Sequence, residues 1–304
     1  MNTIACVIVT YNRKELLRAC LNAVDSQTFK PATVFIVDNA CTDGTESYVK
    51  DLGFFNCNRN DVEYRYVKNE RNEGGAGGFY LGLKTAFDEN RYDAFWVMDD
   101  DGIPEEDCLQ NLLPYIGSYH FLSPLVVDIE NAQMTSFYKC SVADFLKNSK
   151  DGLIVGEANP FNGVLFSKEL IAKIGLPKKE LFIWGDEQNY MQRAIKAGFE
   201  LCTVAASVHK HPLNRQDERE SCFNKKVFFT ESKWKLYCLV RNKVYNIKIW
   251  KEGLGCLFSS FVTFLKYAYY YSLKLKKPSY LPVIVNAAIC GYFEIWEGQY
   301  KYMK

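Results

Sequence analysis

The sequence has no Cys-x-x-Cys pair, although its 11 cysteines are scattered from Cys6 to Cys290. This absence argues against a zinc ribbon and against a thioredoxin-type redox site. The first residues, MNTIACVIVTYNR, also lack the basic start, apolar stretch and cleavage pattern of a secretory signal. We therefore expect reduced thiols in a cytoplasmic protein, because disulfides persist mainly in oxidising compartments.

The 304-residue chain also has almost no net charge, since 37 Lys and Arg stand against 36 Asp and Glu. This total conceals an asymmetry. From Lys225 onward there are 14 basic and 4 acidic residues, whereas the first 224 residues contain 23 basic and 32 acidic ones. Segregation of this size indicates a charged surface or ligand. We predict a main domain at residues 1–223 and a basic, aromatic-rich helical region at residues 224–304.

Strand and helix patterns alternate along the first hundred residues. Apolar runs predict strands at residues 4–10, 33–37, 62–67 and 94–98, and helical spacing predicts helices at residues 14–23, 42–50 and 79–87. Further along, the pattern predicts strands at residues 159–166 and 201–208 and a helix at residues 188–197. This alternation is typical of a mostly parallel α/β sheet covered by helices.

Polar clusters follow four of these predicted strands, at residues 10–13, 38–39, 69–78 and 99–101. Ligands of open parallel sheets bind beyond the carboxyl ends of the strands. We therefore expect the four clusters to converge on one site.

Three consecutive acids, Asp99, Asp100 and Asp101, end an apolar strand. Neighbouring carboxylates repel each other, so they need a cation or strong donors to stay ionised together. Oxygen ligands of this kind suit Mg²⁺ or Mn²⁺, which commonly bridge to phosphates. The alternative is a solvated acidic turn.

The segment NEGGAGG at residues 72–78 is a glycine-rich loop that opens a predicted helix. Backbone N–H groups without side chains around them can approach a phosphate or a sugar closely. Arg71 beside the loop would add a bidentate phosphate contact. A flexible turn with a surface cation explains the same residues.

Two further groups of residues are candidates for catalysis or metal binding. Asp186 and Glu187 begin a predicted helix, where a carboxylate either complements the helix dipole or acts as a general base. His209 comes at the end of the predicted strand at residues 201–208, and His211, two residues on, would share its face. A two-histidine metal site is conceivable, but one histidine acting as a metal ligand or phosphate donor in the acidic site is better supported.

These motifs together carry a family resemblance. VIVTYNR at residues 7–13, VDNACTDGT at 37–45, the three acids, Gly-Asp-Glu at 185–187 and His209 resemble GT-A glycosyltransferases of family 2, the inverting class that uses nucleotide sugars. NERNEGGAGGF at 69–79, FWVMDDD at 95–101, FIWGDEQNY at 182–190 and Tyr237-x-x-x-Arg241-Asn242 are similar to motifs of bacterial galactofuranosyltransferases. The resemblance implies a GT-A, Rossmann-like α/β fold in residues 1–223 with a helical C-terminal segment.

The resemblance also implies a role for each matching residue. Asp99, Asp101 and His209 would bind a divalent metal, Mn²⁺ or Mg²⁺, while Asp100 would face the donor sugar. The family's base is an aspartate three residues before an aromatic, which places Glu187 before Tyr190, with Asp186 as the rival. The nucleotide-sugar site would comprise Thr10, Tyr11, Asn12, Arg13, Asp38, Arg71, Asn72, Gly74, Gly75, Gly77, Gly78, Asp99, Asp100 and Trp184.

The tail contains a 20-residue apolar stretch at residues 254–273 with one charge, Lys266. The central Lys and several Tyr, Ser and Thr favour a helix lying on an anionic membrane surface over one that spans it. The alternatives are packing on the main domain and a homo-oligomer contact. No recognition motif for nucleic acid accompanies the basic residues.

The function implied by the resemblance is metal-dependent transfer of galactofuranose from UDP-galactofuranose. The acceptor would be a hydroxyl of a cell-surface polysaccharide such as an O-antigen, or of a lipid-linked glycan. We expect the enzyme to be peripheral on the inner face of the cytoplasmic membrane. The alternatives are a rhamnosyltransferase using a dTDP-sugar and a non-catalytic nucleotide-sugar-binding subunit of a glycan-assembly complex.

Overall fold

The computed structural model describes residues 3–213 and 217–303, which divide into two units. The first unit comprises Met1–Lys179 and Tyr190–Asn214, and the second comprises Glu180–Asn189 and Arg215–Lys304. The predicted boundary at residue 223 thus lies inside the second unit. The two strands on either side of that residue pair with each other, which keeps them in one unit.

The first unit is built on a ten-stranded sheet with the order β3-β4-β2-β1-β5-β9-β7-β10-β6, and β8 also pairs with β10. The strands are β1 (Ile4–Thr10), β2 (Thr33–Asp38), β3 (Cys57–Arg59), β4 (Val62–Lys68), β5 (Ala94–Asp99), β6 (Ile103–Pro104), β7 (Phe121–Asp128), β8 (Leu153–Val155), β9 (Val164–Ser167) and β10 (Leu201–His211).

The predicted α/β architecture is confirmed. Strands β4, β2, β1 and β5 are neighbours and run parallel, as the strand–helix alternation predicts. Strand β10 is parallel to β7, whereas β3, β6, β8 and β9 pair in the antiparallel direction. The antiparallel strands are short, and a short apolar run carries no signal for its direction.

Helices cover both faces of this sheet. The helices in this part of the chain are α1 (Lys14–Asp25), α2 (Thr45–Asp51), α3 (Gly74–Asp88), α4 (Cys108–Leu112), α5 (Val142–Leu146), α6 (Lys168–Ile174) and α7 (Asp186–Lys196), of which α7 begins in the second unit. Alternate side chains of β1 enter two cores: Ile8 lies in the core that contains Leu17 and Leu21 of α1, and Val7 lies in the core that contains Leu83 of α3. This alternation follows from the two-residue period of a strand.

Besides Glu180–Asn189, the described part of the second unit contains a hairpin and three α-helices. The hairpin strands are β11 (Asp217–Glu220) and β12 (Lys226–Phe229), and the helices are α8 (Lys233–Ile247), α9 (Gly253–Ala268) and α10 (Leu281–Phe293). A π-helical segment, Tyr269–Lys274, continues α9. The buried core of the unit includes Leu236, Val240, Tyr267 and Ile284. Among residues 3–213 and 217–303, every helix falls short of the length and apolarity needed to cross a bilayer.

Candidate active site

The polar clusters after β1, β2, β4 and β5 meet at one edge of the sheet. Thr10 is in register with Asp38, and Val9 with Asp99, so three strands end side by side. Asn39 closes this edge, because its side chain donates to the Gly74 carbonyl at 2.8 Å and its Oδ1 accepts from the Glu73 amide at 3.1 Å. The predicted convergence of the four segments is confirmed.

Asp100 is a fully buried carboxylate at this edge. It accepts a hydrogen bond from the Thr10 hydroxyl at 2.6 Å and forms an ion pair with Arg13 at 2.5 Å. Burial raises the pKa of Asp100 to about 7, although Arg13 and Thr10 oppose this rise. The side chain is therefore occupied by two partners from the chain itself.

Arg13 bridges two of the three acids. Its guanidinium contacts Asp100 at 2.5 Å and Asp101 at 2.8 Å. Although burial favours the neutral form, these two carboxylates and Asp99 raise the pKa of Arg13 above its usual range. Arg13 is thus a fixed cation that reduces the repulsion within the acidic cluster.

Asp101 also faces His211, whose Nε2 lies 3.4 Å from Oδ1. The other ring nitrogen of His211, Nδ1, lies 2.6 Å from the Pro212 carbonyl and can only donate to it. Nε2 of that tautomer is then an acceptor facing a carboxylate oxygen, an arrangement that a bound cation would satisfy. Burial opposes ionisation of Asp101, but His211 and Arg13 outweigh it and lower the pKa of Asp101.

His209, the histidine that the resemblance favours, has different surroundings. It is fully buried, and among the described residues neither ring nitrogen has a hydrogen-bond partner. A Cβ on Gly102 would lie 2.2 Å from Nε2. Burial lowers the pKa of His209 to about 3, which keeps the ring neutral.

The donor set at this edge fits a divalent metal in part. In the part of the chain that the structure describes, no three His, Cys, Asp or Glu side chains are already gathered as a metal shell. The Asp101–His211 pair does supply one carboxylate and one imidazole whose second nitrogen is fixed by a backbone carbonyl. That arrangement orients metal-bound histidines in proteins. Asp99 ends β5 one strand position before the buried Asp100.

The residues predicted to bind the nucleoside lie after β1 and β2, and two of them form hydrogen bonds that connect the segments there. The carboxylate of Asp38 accepts from the Tyr66 hydroxyl at 2.5 Å and from the Cys41 amide at 2.6 Å. Asn12 has a left-handed backbone, and its Oδ1 accepts from the Thr42 amide at 2.7 Å. Tyr11 is exposed, so its ring remains accessible to a ligand.

The glycine-rich segment forms the first turn of α3, which begins at Gly74, five residues before the predicted start. Gly78 packs against β1, where a Cβ would lie 2.4 Å from Val9 Cγ1, so the helix can approach the sheet only without a side chain here. Asn72 accepts from the Gly74 amide at 2.8 Å. Arg71 is mostly exposed and lies 3.4 Å from Glu73. Gly75 and Gly77 belong to the same turn.

Trp184, Asp186 and Glu187 belong to the second unit. Asp186 is the first residue of α7 and is only 4% exposed, whereas Glu187 is half-buried. Burial raises the pKa of Asp186 to about 6, although the amides of Asp186 and Glu187 oppose this rise. Trp184 precedes them in a left-handed backbone conformation.

This burial predicts that Asp186→Asn stabilises the protein at neutral and alkaline pH. The folded state binds the Asp186 proton more tightly than the unfolded state, so the buried carboxylate costs stability as the pH rises from about 4 to about 6. We expect the variant to exceed the wild type by up to about 3 kcal/mol in free energy of unfolding above pH ~7. Urea denaturation across pH 4–8 checks this, and a pH-independent difference would contradict it.

The fold and the edge of the sheet now have a counterpart among known proteins. Residues 5–140 match the family model described as Glycosyl transferase family 2. The galactofuranosyltransferase GlfT1 of Mycolicibacterium smegmatis is 31% identical over 222 residues, which cover 69% of this chain and 70% of that protein. The chain belongs to glycosyltransferase family 2.

Two further comparisons extend over most of the chain. The galactofuranosyltransferase GlfT1 of Mycobacterium tuberculosis is 27% identical over 288 residues, 91% of each chain. The crystal structure of GalNAc-T7 with UDP, GalNAc and Mn²⁺ superposes with a TM-score of 0.61 at 14% identity, covering 97% of this chain and 56% of that one. The structural match shows the GT-A-like fold, and the two sequence matches confirm the resemblance to galactofuranosyltransferases.

Proposed function

We propose that the protein transfers galactofuranose from UDP-galactofuranose to a hydroxyl of a lipid-linked or polysaccharide acceptor, with inversion at the anomeric carbon. The similarity to a galactofuranosyltransferase over 91% of both chains carries this proposal. The polar edge of the sheet supports it, because the acids and the first turn of α3 meet where a diphosphate would bind.

The acceptor's proton needs a base, and we assign this role to Glu187. A general base must come within hydrogen-bonding distance of the hydroxyl, and Glu187 is more accessible than the buried Asp186. Glu187 takes the proton while the acceptor oxygen forms its bond to the anomeric carbon. The bond from that carbon to the diphosphate oxygen breaks on the opposite face, which inverts the configuration.

Asp99, Asp101 and His211 are the residues that would hold Mn²⁺ or Mg²⁺. His211 replaces His209 in this set, because His211 faces Asp101 whereas Gly102 packs against the ring of His209. A bound divalent metal would stabilise the negative charge that the UDP leaving group acquires. Arg13 holds Asp101 in place for this purpose.

The remaining edge residues would hold the donor. Tyr11 offers an exposed ring for the uracil, and Arg71 offers an exposed guanidinium for the diphosphate. Thr10, Asn12, Asp38 and Asn72 shape the pocket, because their side chains already bind other parts of the chain. Asp100 positions Arg13 through their ion pair.

A donor panel tests the proposal. Release of the nucleotide is measured with UDP-galactofuranose, UDP-galactopyranose, UDP-glucose and dTDP-rhamnose, each with Mn²⁺ and with EDTA. We expect turnover with UDP-galactofuranose that EDTA abolishes. Preference for dTDP-rhamnose or UDP-galactopyranose would overturn the donor assignment, and binding without turnover of any donor would favour a non-catalytic subunit.

We also propose that α9 and α10 rest on an anionic membrane surface at the inner face of the cytoplasmic membrane, where a lipid-linked acceptor would lie. Leu254, Phe258 and Phe261 project from α9 at helical spacing and are 84%, 69% and 53% exposed. Phe261 also lines an apolar groove of about 310 Å³ between α9 and α10, together with Leu257 of α9 and Phe293 of α10. Exposed lysines follow the helix, at residues 274, 276 and 277.

The chemistry of this surface favours a lipid headgroup region. Apolar side chains enter the boundary between headgroups and acyl chains, while flanking lysines attract anionic lipids. The sequence from Lys225 onward carries a net charge of +10, from 14 basic and 4 acidic residues. A contiguous exposed apolar surface of this kind marks an interaction site in a folded protein.

The double variant Phe258→Asp/Phe261→Asp should lose flotation with phosphatidylglycerol vesicles. Both aspartates would place charge in the apolar boundary and reduce the attraction to anionic lipid. Ile195→Asp, at an exposed apolar position of α7, is the matched control and should float like the wild type. A wild type that forms a stable dimer and ignores the vesicles would assign these helices to an oligomer contact instead.

A further inference from the structure

The segment before the candidate base has an unfavourable backbone conformation. Phe182 and Trp184 have φ angles of 67° and 60°, and Gly185 has a φ of 108°. Side chains disfavour positive φ, so the two aromatic residues adopt this shape only where surrounding contacts impose it. Helix α7 begins directly afterwards, at Asp186. The shape of this segment therefore decides where Asp186 and Glu187 point.

Asn242 of α8 supplies much of that constraint. Its fully buried side-chain nitrogen lies 2.8 Å from the Leu181 carbonyl, 2.8 Å from that of Ile183 and 2.9 Å from that of Trp184. Two hydrogens thus serve three carbonyl oxygens. The side-chain oxygen accepts from Arg241 Nε at 2.9 Å, which fixes the orientation of the amide.

Arg241 and Asn246 hold the two ends of the same segment. Arg241 is fully buried, and its guanidinium donates to the carbonyls of Glu180 and Leu181 at 3.0 and 2.7 Å. Asn246 donates to the Gly185 carbonyl at 2.8 Å and accepts from Asn189 in the first turns of α7 at 2.9 Å. One face of α8 thereby binds five carbonyls between residues 180 and 185.

We propose that Arg241, Asn242 and Asn246 form a carbonyl clamp that sets the start of α7 and so aims the base at the acceptor hydroxyl. The three are positioning residues, because they bind the backbone before the base and not the base itself. The catalytic consequence rests on the proposed function. Catalytic geometry is sensitive, since a misplacement of about 1 Å can cost on the order of 10²-fold in rate.

Asn242→Ala and the isosteric Asn242→Asp test the clamp. We expect kcat to fall about 10²-fold, with KM for UDP-galactofuranose and Kd for UDP within about twofold of the wild type. Val244→Ala is the matched control, because Val244 is fully buried in the same helix and packs near Gly291 of α10. This control should lower the Tm but keep kcat within about twofold, as a purely structural loss does.

Hydrogen exchange supplies a readout that does not depend on turnover. The amides of residues 182–187 should exchange faster in Asn242→Ala than in Val244→Ala at the same temperature. Asn246→Ala removes the bond to Gly185 and serves if Asn242 variants do not fold. Unchanged exchange, or a kcat equal to that of the control, would overturn the clamp. A wild type that is inactive with UDP-galactofuranose would instead refute the proposed function. The hydrogen-exchange comparison would then still show whether the clamp holds residues 182–187.

Discussion

Glu187→Gln should lower kcat by about 10²–10⁴-fold, because glutamine cannot accept the proton of the attacking hydroxyl. The Kd for UDP should stay within about twofold, since the polar sheet edge proposed to hold the nucleotide lies in the first unit and keeps its contacts. Stopped turnover with intact binding is the signature of a group needed in the transition state alone. Single-turnover kinetics and titration calorimetry on the same preparation measure both quantities.

Two further variants test whether Glu187 or Asp186 is the general base. Glu187→Asp has the carboxylate that the family pattern places three residues before an aromatic, and it should recover part of the activity that glutamine abolishes. Asp186→Asn should keep a substantial kcat while gaining stability above pH ~7. A fully active Glu187→Gln together with an inactive Asp186→Asn would move the base to Asp186.

His211→Ala should weaken Mn²⁺ binding by about 10- to 100-fold or more, because it removes an imidazole that faces Asp101 at 3.4 Å. Electron paramagnetic resonance titration of Mn²⁺, with and without UDP, reports this loss independently of turnover. The rate of UDP release should fall in parallel at limiting metal and recover partly at high Mn²⁺.

His209→Ala is the matched comparison in the same strand. Its removal leaves a buried hole beside Gly102 and Gly163, so we expect a lower Tm with nearly unchanged Mn²⁺ affinity. The reverse pattern, with metal binding lost in His209→Ala and kept in His211→Ala, would restore the ligand set that the family resemblance implies.

The strands that carry the site were predictable from the sequence, because long apolar runs indicate the positions of buried strands well. Strand β1 has the predicted bounds, residues 4–10, and β2, β4 and β5 each extend one residue further than predicted. Parallel strands place their carboxyl ends at one edge, so Thr10, Asp38 and Asp99 had to lie close together. The residue types in each strand and the order of the strands along the chain were enough to predict that these residues meet.

Details set by tertiary packing were not predictable. His209 and His211 share one strand face, and the sequence does not say which of them lies beside Asp101. Arg13 follows a strand in the same way as many surface cations, yet it bridges Asp100 and Asp101. The motif Tyr237-x-x-x-Arg241-Asn242 is visible in the sequence, but only the structure shows that Arg241 and Asn242 donate to the carbonyls of Glu180 and Leu181.

The most direct test of the account follows the sugar itself. The enzyme, Mn²⁺ and ¹³C-labelled UDP-galactofuranose are incubated with a lipid extract of the source cells, and the lipid-bound product is examined by NMR. We predict a new galactofuranosyl linkage with anomeric configuration opposite to the donor's, absent with Glu187→Gln and with EDTA. A product that retains the donor's configuration, or an extract that acquires no galactofuranose, would contradict the account.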